Sequence, residues 1–260
     1  MELVLSLFPG IDLLGRAFSA HGFCVVKGPD LIWDEDQRDF HAPAGKFDGI
    51  IAGPPCQNYS DANRFRDATK GDETLQLVLQ AIAESQPEWF VIENVRNVPD
   101  VVVEGYHVQR LDLIDTECGG KQTRLRHIQF GSRCGDKIRP TRTKPARRVT
   151  PTLTCRPRSQ HDRHSRRLEL QSAPKLFLRN LTRTAKYAAI GNAVPWTMGT
   201  TLARAVAARS QPLPTDCPCQ CGRSTPKGTA ASAACRKRLQ RRRQNHGRKL
   251  LGPVTAKEDA

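Results

Sequence analysis

The chain has 260 residues and a formal net charge of +15, from 41 Lys/Arg against 26 Asp/Glu. This length can hold one full α/β domain and a small appendage. No run of 18 apolar residues occurs, so we expect a cytoplasmic protein that does not enter membranes. The nine cysteines are scattered rather than arranged as the framework of a small secreted protein, and reduced thiols are expected.

The sign of the charge changes sharply along the chain. Residues 1–120 carry 9 Lys/Arg against 20 Asp/Glu, whereas residues 121–167 carry 15 against 2. Residues 168–260 remain basic, with 17 against 4. An ordinary solvated surface would mix the two signs more evenly. The distribution therefore predicts an acidic body that presents a polyanion to a basic surface.

The N-terminal segment has the pattern strand, turn, helix, strand. Residues 3–8 are a short apolar run that ends at Pro9-Gly10, and residues 13–21 have helical apolar spacing. Residues 22–26 read as a second strand, and Asp30 follows it, where a carboxylate commonly accepts hydrogen bonds from ribose hydroxyls. The pattern predicts a Rossmann-like, doubly wound and mostly parallel sheet whose first turn approaches a nucleotide-like cofactor.

Two later strands are each followed directly by residues capable of chemistry. The apolar residues 47–52 lead into Gly53-Pro54-Pro55-Cys56-Gln57-Asn58-Tyr59-Ser60, and residues 89–92 lead into Glu93-Asn94-Val95. A helix of about 13 residues from near Glu73 connects them. An isolated cysteine is more often structural than nucleophilic. Because the carboxyl ends of parallel strands share one edge, however, we expect Cys56 and Glu93 to lie together.

The second half of the chain alternates regular and basic segments. Residues 123–130 alternate as a strand that carries Arg124 and Arg126 on one face, and residues 131–167 predict a basic recognition surface or loop. Residues 186–190 predict a strand, and a helix is expected over residues 196–209. We expect four parts: a catalytic and cofactor-binding core (1–120), a shortened recognition region (121–185), a segment that packs back on the core (186–210), and a linker with a tail (211–260).

The tail contains four cysteines followed by an arginine-rich run. The cysteines suit a structural zinc ion, which a short module without a core would need in order to fold. Their Cys-x-Cys-x-Cys spacing is tighter than usual, so a disordered basic tail is the alternative. In either case the tail should bind phosphates without sequence preference. The candidate zinc ligands are Cys217, Cys219, Cys221 and Cys235.

Taken together, six motifs make the chain resemble the DNA (cytosine-5)-methyltransferase family over most of residues 3–208. They occur in the family's order and at sensible spacing. They are Leu7-Phe8-Pro9-Gly10, Gly53-Pro54-Pro55-Cys56-Gln57, Glu93-Asn94-Val95, Gln122-Thr123-Arg124-Leu125-Arg126, Arg148-Val149-Thr150-Pro151-Thr152 and Gly191-Asn192-Ala193-Val194-Pro195.

The resemblance implies a reaction and assigns its residues. The Cys56 thiolate would add to C6 of a flipped cytosine in double-stranded DNA, so that C5 can attack the methyl group of S-adenosylmethionine. Glu93 would hold N3 and the amino group of the base, and Arg126 its O2 side, with Arg124 and Gln122 in support. The implied cofactor contacts are Phe8, Gly10, Asp30 at the ribose, Asp36 at the adenine, Pro54 and Asn192. The expected DNA contacts are Gln57, Ser60, Arg133, Arg147 and Arg148.

The sequence departs from the family at two places. Asp12 and Leu13 stand where the family has glycines in its cofactor loop. Only about 20 residues separate the Arg126 motif from the Arg148 motif, where the family inserts a long recognition region, so we expect a short or degenerate target sequence. The compact size, the missing long recognition region and the basic cysteine tail suggest a phage or prophage protein that protects its DNA. A monomer is expected. The alternatives are a catalytically weak DNA-binding protein on the same fold and an RNA cytosine-C5 methyltransferase.

Overall fold

The computed structural model describes residues 1–55, 59, 68–144, 149–155, 163–174, 178 and 181–209. Several residues singled out from the sequence lie outside this part of the chain, and their roles stay predictions. They are Cys56, Gln57, Ser60, Arg147, Arg148, Cys217, Cys219, Cys221 and Cys235. Within the described ranges, no cluster of His, Cys, Asp and Glu has the makings of a metal site.

Six strands form one mixed sheet in the order β2-β1-β3-β4-β6-β5. Strands β1 to β4 are parallel, and β6 runs antiparallel to both β4 and β5. The predicted Rossmann-like sheet is confirmed, with an antiparallel pair at one side. The strands are β1 Leu3–Leu7, β2 Cys24–Lys27, β3 Gly49–Ala52, β4 Trp89–Asn94, β5 His107–Ile114 and β6 Leu125–Ser132.

Five α-helices accompany the sheet in the described chain. Three short 3₁₀ helices, Leu31–Trp33, Gln37–Asp39 and Asp115–Cys118, lie in its connections. No described helix is long and apolar enough to cross a membrane. The α-helices are α1 Leu13–Ser19, α2 Ala68–Ser85, α3 His164–Leu170, α4 Arg183–Asn192 and α5 Trp196–Ala207.

Two sequence predictions need correction. The helix expected from near Glu73 begins five residues earlier, as α2. The strand predicted over residues 186–190 is wrong, since this stretch lies inside α4. Thr182 caps α4 by accepting a hydrogen bond from the Ala185 amide, and the alanine-rich sequence that follows has high helix propensity.

The core covers both faces of the sheet because side chains alternate along each strand. Trp89 and Val91 of β4 pack on one face in the same cluster as residues of α1 and α5, whereas Phe90 and Ile92 pack with α2 on the other. At Gly199 of α5, an added Cβ would lie 2.9 Å from the Cβ of Ala17, so glycine lets the two helices approach closely. This doubly wound arrangement leaves the carboxyl ends of the parallel strands open for a site.

Candidate functional site

A cavity of about 310 Å³ opens where β1, β3 and β4 end. Its lining includes the turn after β1 with the start of α1, the Gly53–Pro55 segment after β3, and Glu93–Val95 at the end of β4. Asp30 and Ile32 after β2, Arg126 of β6, and one side of α4 complete the lining. The cavity therefore lies at the carboxyl ends of the parallel strands, where the sequence predicts a site.

The turn after β1 is shaped by Asp30. Gly10 has a φ of 54°, and its amide donates to Asp30 Oδ2 at 2.7 Å. The Ile32 amide donates to the other oxygen, Asp30 Oδ1, at 2.9 Å. The Trp33 indole donates to the Gly10 carbonyl at 3.0 Å. Asp30 thus lies at the cavity as expected, but it also fixes the turn, and its carboxylate retains acceptor capacity for a ligand hydroxyl.

Asp12 explains how the chain manages without the glycine expected there. Its φ of 56° is the left-handed conformation that favours glycine and that Asp tolerates better than most residues. Its side chain accepts hydrogen bonds from the Gly15 amide and the Ser6 hydroxyl, both at 3.1 Å, and so caps α1. Burial raises the pKa of the Asp12 carboxyl, and Lys27 Nζ at 3.8 Å acts in the opposite direction.

Glu93 and Arg126, which both line the cavity, form a buried ion pair. Glu93 Oε1 lies 2.7 Å from Arg126 Nε, and the two side chains are 7% and 11% exposed. Arg126 Nη1 also donates to the carbonyl of Leu125 at 2.7 Å. Pro55, which lines the same cavity, directly precedes Cys56 in the sequence. The structure therefore brings together the two predicted base-contacting residues and the entry to the cysteine loop.

Arg124 and Gln122 are buried but do not line the cavity. Arg124 donates to the carbonyls of Leu153, at 3.1 Å, and Gly191, at 2.9 Å. The side-chain oxygen of Gln122 accepts from the Leu153 amide at 3.0 Å, and its nitrogen donates to the carbonyl of Leu170 at 2.8 Å. Both residues tie the chain just before β6 to segments that follow that strand, so they support the frame of the cavity without lining it.

Replacing Arg124 with methionine is expected to lower the free energy of unfolding by about 3 kcal/mol, since two buried carbonyl groups lose their donors. Denaturant unfolding followed by circular dichroism measures the change. The matched control is Arg139→Met, because Arg139 is exposed. Equal stabilities of the two variants would contradict the positioning role of Arg124.

Sequence reasoning missed Arg167 and Gln171. Both are fully buried. Gln171 Nε2 donates to the carbonyl of Ile190 at 2.6 Å and lies 3.2 Å from that of Ala193, and Arg167 Nη1 donates to the carbonyl of Thr154 at 2.6 Å. Gln171 thus joins the end of α3 to the end of α4, which lines the cavity, whereas Arg167 joins α3 to the chain segment at Thr154. Their i, i+4 spacing is a usable signal, but Arg167 ends the basic stretch of residues 131–167 and Gln171 lies just beyond it.

The residues predicted to contact DNA and cofactor are not all near the cavity. Asp36 lies outside the lining and is paired with Arg38 at 2.6 Å, which lowers the pKa of its carboxyl. Arg133 donates to the carbonyl of Pro87 and the hydroxyl of Tyr106. These partners lie beside the start of β4, at the end of the sheet opposite the cavity. Asn192 does line the cavity, and its Oδ1 accepts from the Cys155 thiol at 2.7 Å.

Comparison with known proteins assigns the chain to a family. Residues 30–161 match the C-5 cytosine-specific DNA methylases. The type II methyltransferase M.FnuDI of Fusobacterium nucleatum is 28% identical over 160 residues, which is 50% of this chain and 46% of that protein. M.HgiDI of Herpetosiphon aurantiacus is 31% identical over 163 residues, 50% of this chain and 52% of that protein. The chain spans about half the length of these curated relatives.

Solved structures share the fold at low sequence identity. The methyltransferase EhMeth of Entamoeba histolytica has a TM-score of 0.60 and 12% identity, covering 80% of this chain and 98% of that one. A protein described as a DNA modification methyltransferase encoded within a prophage (E. coli) has a TM-score of 0.58 and 14% identity, covering 80% and 99%.

Proposed function

The chain belongs to the C-5 cytosine-specific DNA methylase family, and on that premise we propose that it transfers a methyl group from S-adenosylmethionine to C5 of cytosine in double-stranded DNA. The observation that supports this most directly is the buried Glu93–Arg126 pair beside the Gly53–Pro55 segment in one cavity. A carboxylate and a guanidinium that face one cavity suit a ring with both donor and acceptor groups.

The residues around the first turn fit the cofactor. Among the described residues, other than the two neighbours of Gly10 in the chain, none lies within 4 Å of the position that a Cβ on Gly10 would occupy, so this backbone offers space to a ligand. Asp30 can accept from ribose hydroxyls, while Phe8, Pro54 and Asn192 line the space between the turn and α4. Asp36 does not line the cavity, so a contact between its carboxylate and the adenine would form outside the cavity. When bound, S-adenosylmethionine supplies an electrophilic methyl group.

The proposed chemistry begins with addition of the Cys56 thiolate to C6 of a flipped cytosine. Glu93 holds N3 and the amino group of the base while Arg126 holds O2, so that electron density moves through the ring to C5. C5 would then take the methyl group, whose bond to the sulfonium sulfur would break and leave the neutral thioether S-adenosylhomocysteine. Loss of the C5 proton to a base and departure of the Cys56 thiolate by elimination restore the aromatic ring.

The described basic segment after β6 supplies a surface for phosphates. Lys137, Arg139, Arg142 and Lys144 are exposed, and Arg142 also pairs with Glu117 at 2.8 Å. Such contacts give affinity without reading bases. We expect a short or degenerate target sequence, with Gln57, Ser60, Arg147 and Arg148 as further contacts. Methylome sequencing of a host that expresses the protein tests this, and a long, strictly defined motif would refute it.

The function is tested by incubating the full chain with duplex DNA and S-adenosylmethionine that carries a labelled methyl group. We expect incorporation of label, and mass spectrometry of the digested DNA should identify the product as 5-methylcytosine. Retention of DNA binding without incorporation of label would favour the alternative of a catalytically weak DNA-binding protein. This alternative is tested because Asp12 replaces a family glycine in the turn that would hold the cofactor. Preferential labelling of transfer RNA in competition with duplex DNA would favour the RNA reaction.

A further inference from the structure

Among the described residues that line the cavity, one buried charged group has no role in the proposed chemistry. Asp12 lines the cavity and is 3% exposed. Its Oδ1 already accepts two hydrogen bonds, from the Ser6 hydroxyl and the Gly15 amide. Lys27 Nζ approaches its Oδ2, but the 3.8 Å separation is longer than a hydrogen bond, and the Lys27 side chain is 49% exposed. Within the described chain, Oδ2 therefore keeps most of its acceptor capacity.

A buried carboxylate that is only weakly paired favours a cation and disfavours a second anion. S-adenosylmethionine carries two cationic groups, the sulfonium and the α-ammonium. The sulfonium bears the methyl group, so in the proposed reaction it must face the base beside Glu93 and Arg126. Asp30, on the other side of the Gly10 turn, is assigned to the ribose. The α-ammonium group is the cation that remains for Asp12.

We propose that Asp12 Oδ2 accepts a hydrogen bond from the α-ammonium group of the cofactor and selects ligands that carry this amine. The inference rests on the proposed function, because it concerns the same cofactor. It makes Asp12 a specificity-determining residue of the cavity: the side chain that replaces a glycine both caps α1 through Oδ1 and recognises the amine through Oδ2. A charge-assisted hydrogen bond of this kind changes affinity about tenfold or more.

Calorimetric titration of the full chain tests the proposal with S-adenosylhomocysteine, which lacks the sulfonium charge, and with its analogue that lacks the α-amino group. The variant is Asp12→Asn. Asparagine caps helices as well as aspartate and tolerates the left-handed conformation, so the fold should persist while the charge is lost. Thermal unfolding followed by circular dichroism checks this. Asp39→Asn, at an exposed site outside the lining, is the matched control.

We expect Asp12→Asn to weaken S-adenosylhomocysteine binding about tenfold and to change binding of the deaminated analogue less than twofold. Equal losses for both ligands, or no loss for either, would overturn the role of Asp12 and leave the methyltransferase proposal intact. Failure of the native chain to bind S-adenosylhomocysteine or S-adenosylmethionine at all would instead count against the proposed function.

Discussion

Replacing Cys56 with serine is expected to lower methyl transfer by about 10³-fold or more, because a serine hydroxyl cannot supply the thiolate that adds to C6. The described residues on either side of this cysteine are held to the rest of the fold. Thr74 Oγ1 donates to the carbonyl of Pro55 at 3.4 Å, and Asn97 Nδ2 donates to the carbonyl of Tyr59 at 3.3 Å. Neither bond involves the thiol, so serine should leave this anchoring unchanged.

Duplex DNA that contains 5-fluorocytosine provides a direct measurement for the Cys56 variant. With S-adenosylmethionine present, C5 accepts the methyl group, but fluorine cannot then leave C5 as a proton does. Elimination is blocked, so the covalent complex should persist and migrate as a larger species in a denaturing gel. The native chain should form this species and Cys56→Ser should not. Cys24→Ser is the control, since Cys24 is an exposed cysteine of the edge strand β2. Persistence of the adduct in Cys56→Ser would show that another residue attacks the base.

The position of the cavity at the carboxyl ends of the strands can be predicted from the sequence, because the end of a buried strand is visible as the end of an apolar run. Continuous apolar runs ended at Pro54 and at Glu93, and the cavity lies where those runs end. The alternation of its strand indicates a face for Arg126, but only the family resemblance predicts its place beside the base. The ion pair of Arg126 with Glu93 follows from the pairing of β6 with β4, which the sequence pattern does not record.

Other features depend on tertiary contacts that no local pattern records. Residues 186–190 were predicted as a strand, but capping by Thr182 makes them part of α4. Arg133 was assigned to DNA because its neighbours are basic, yet its partners lie beside the start of β4. Arg167 and Gln171 were missed since buried polar residues bound to backbone carbonyls resemble a solvated basic face in sequence.

Replacing Glu93 with glutamine is expected to lower kcat for methyl transfer about 10²- to 10³-fold. Glutamine can still contact the amino group of the base, but it removes the negative charge that favours protonation at N3 as electrons enter the ring. It also leaves the guanidinium of Arg126 buried without its carboxylate partner. Loss of one partner from a buried ion pair costs about 3–5 kcal/mol of stability. The variant should therefore unfold more easily as well as react more slowly.

These two effects of Glu93→Gln can be separated in one set of measurements. Single-turnover methyl transfer at saturating cofactor and DNA reports chemistry, and it should be made at a temperature where circular dichroism shows the variant to be folded. Glu104→Gln, the same substitution at an exposed position, should match the native rate and stability. Binding of S-adenosylhomocysteine should change little, because Glu93 is assigned to the base. A folded Glu93→Gln protein with a rate within tenfold of the native one would rule out its assigned role at N3.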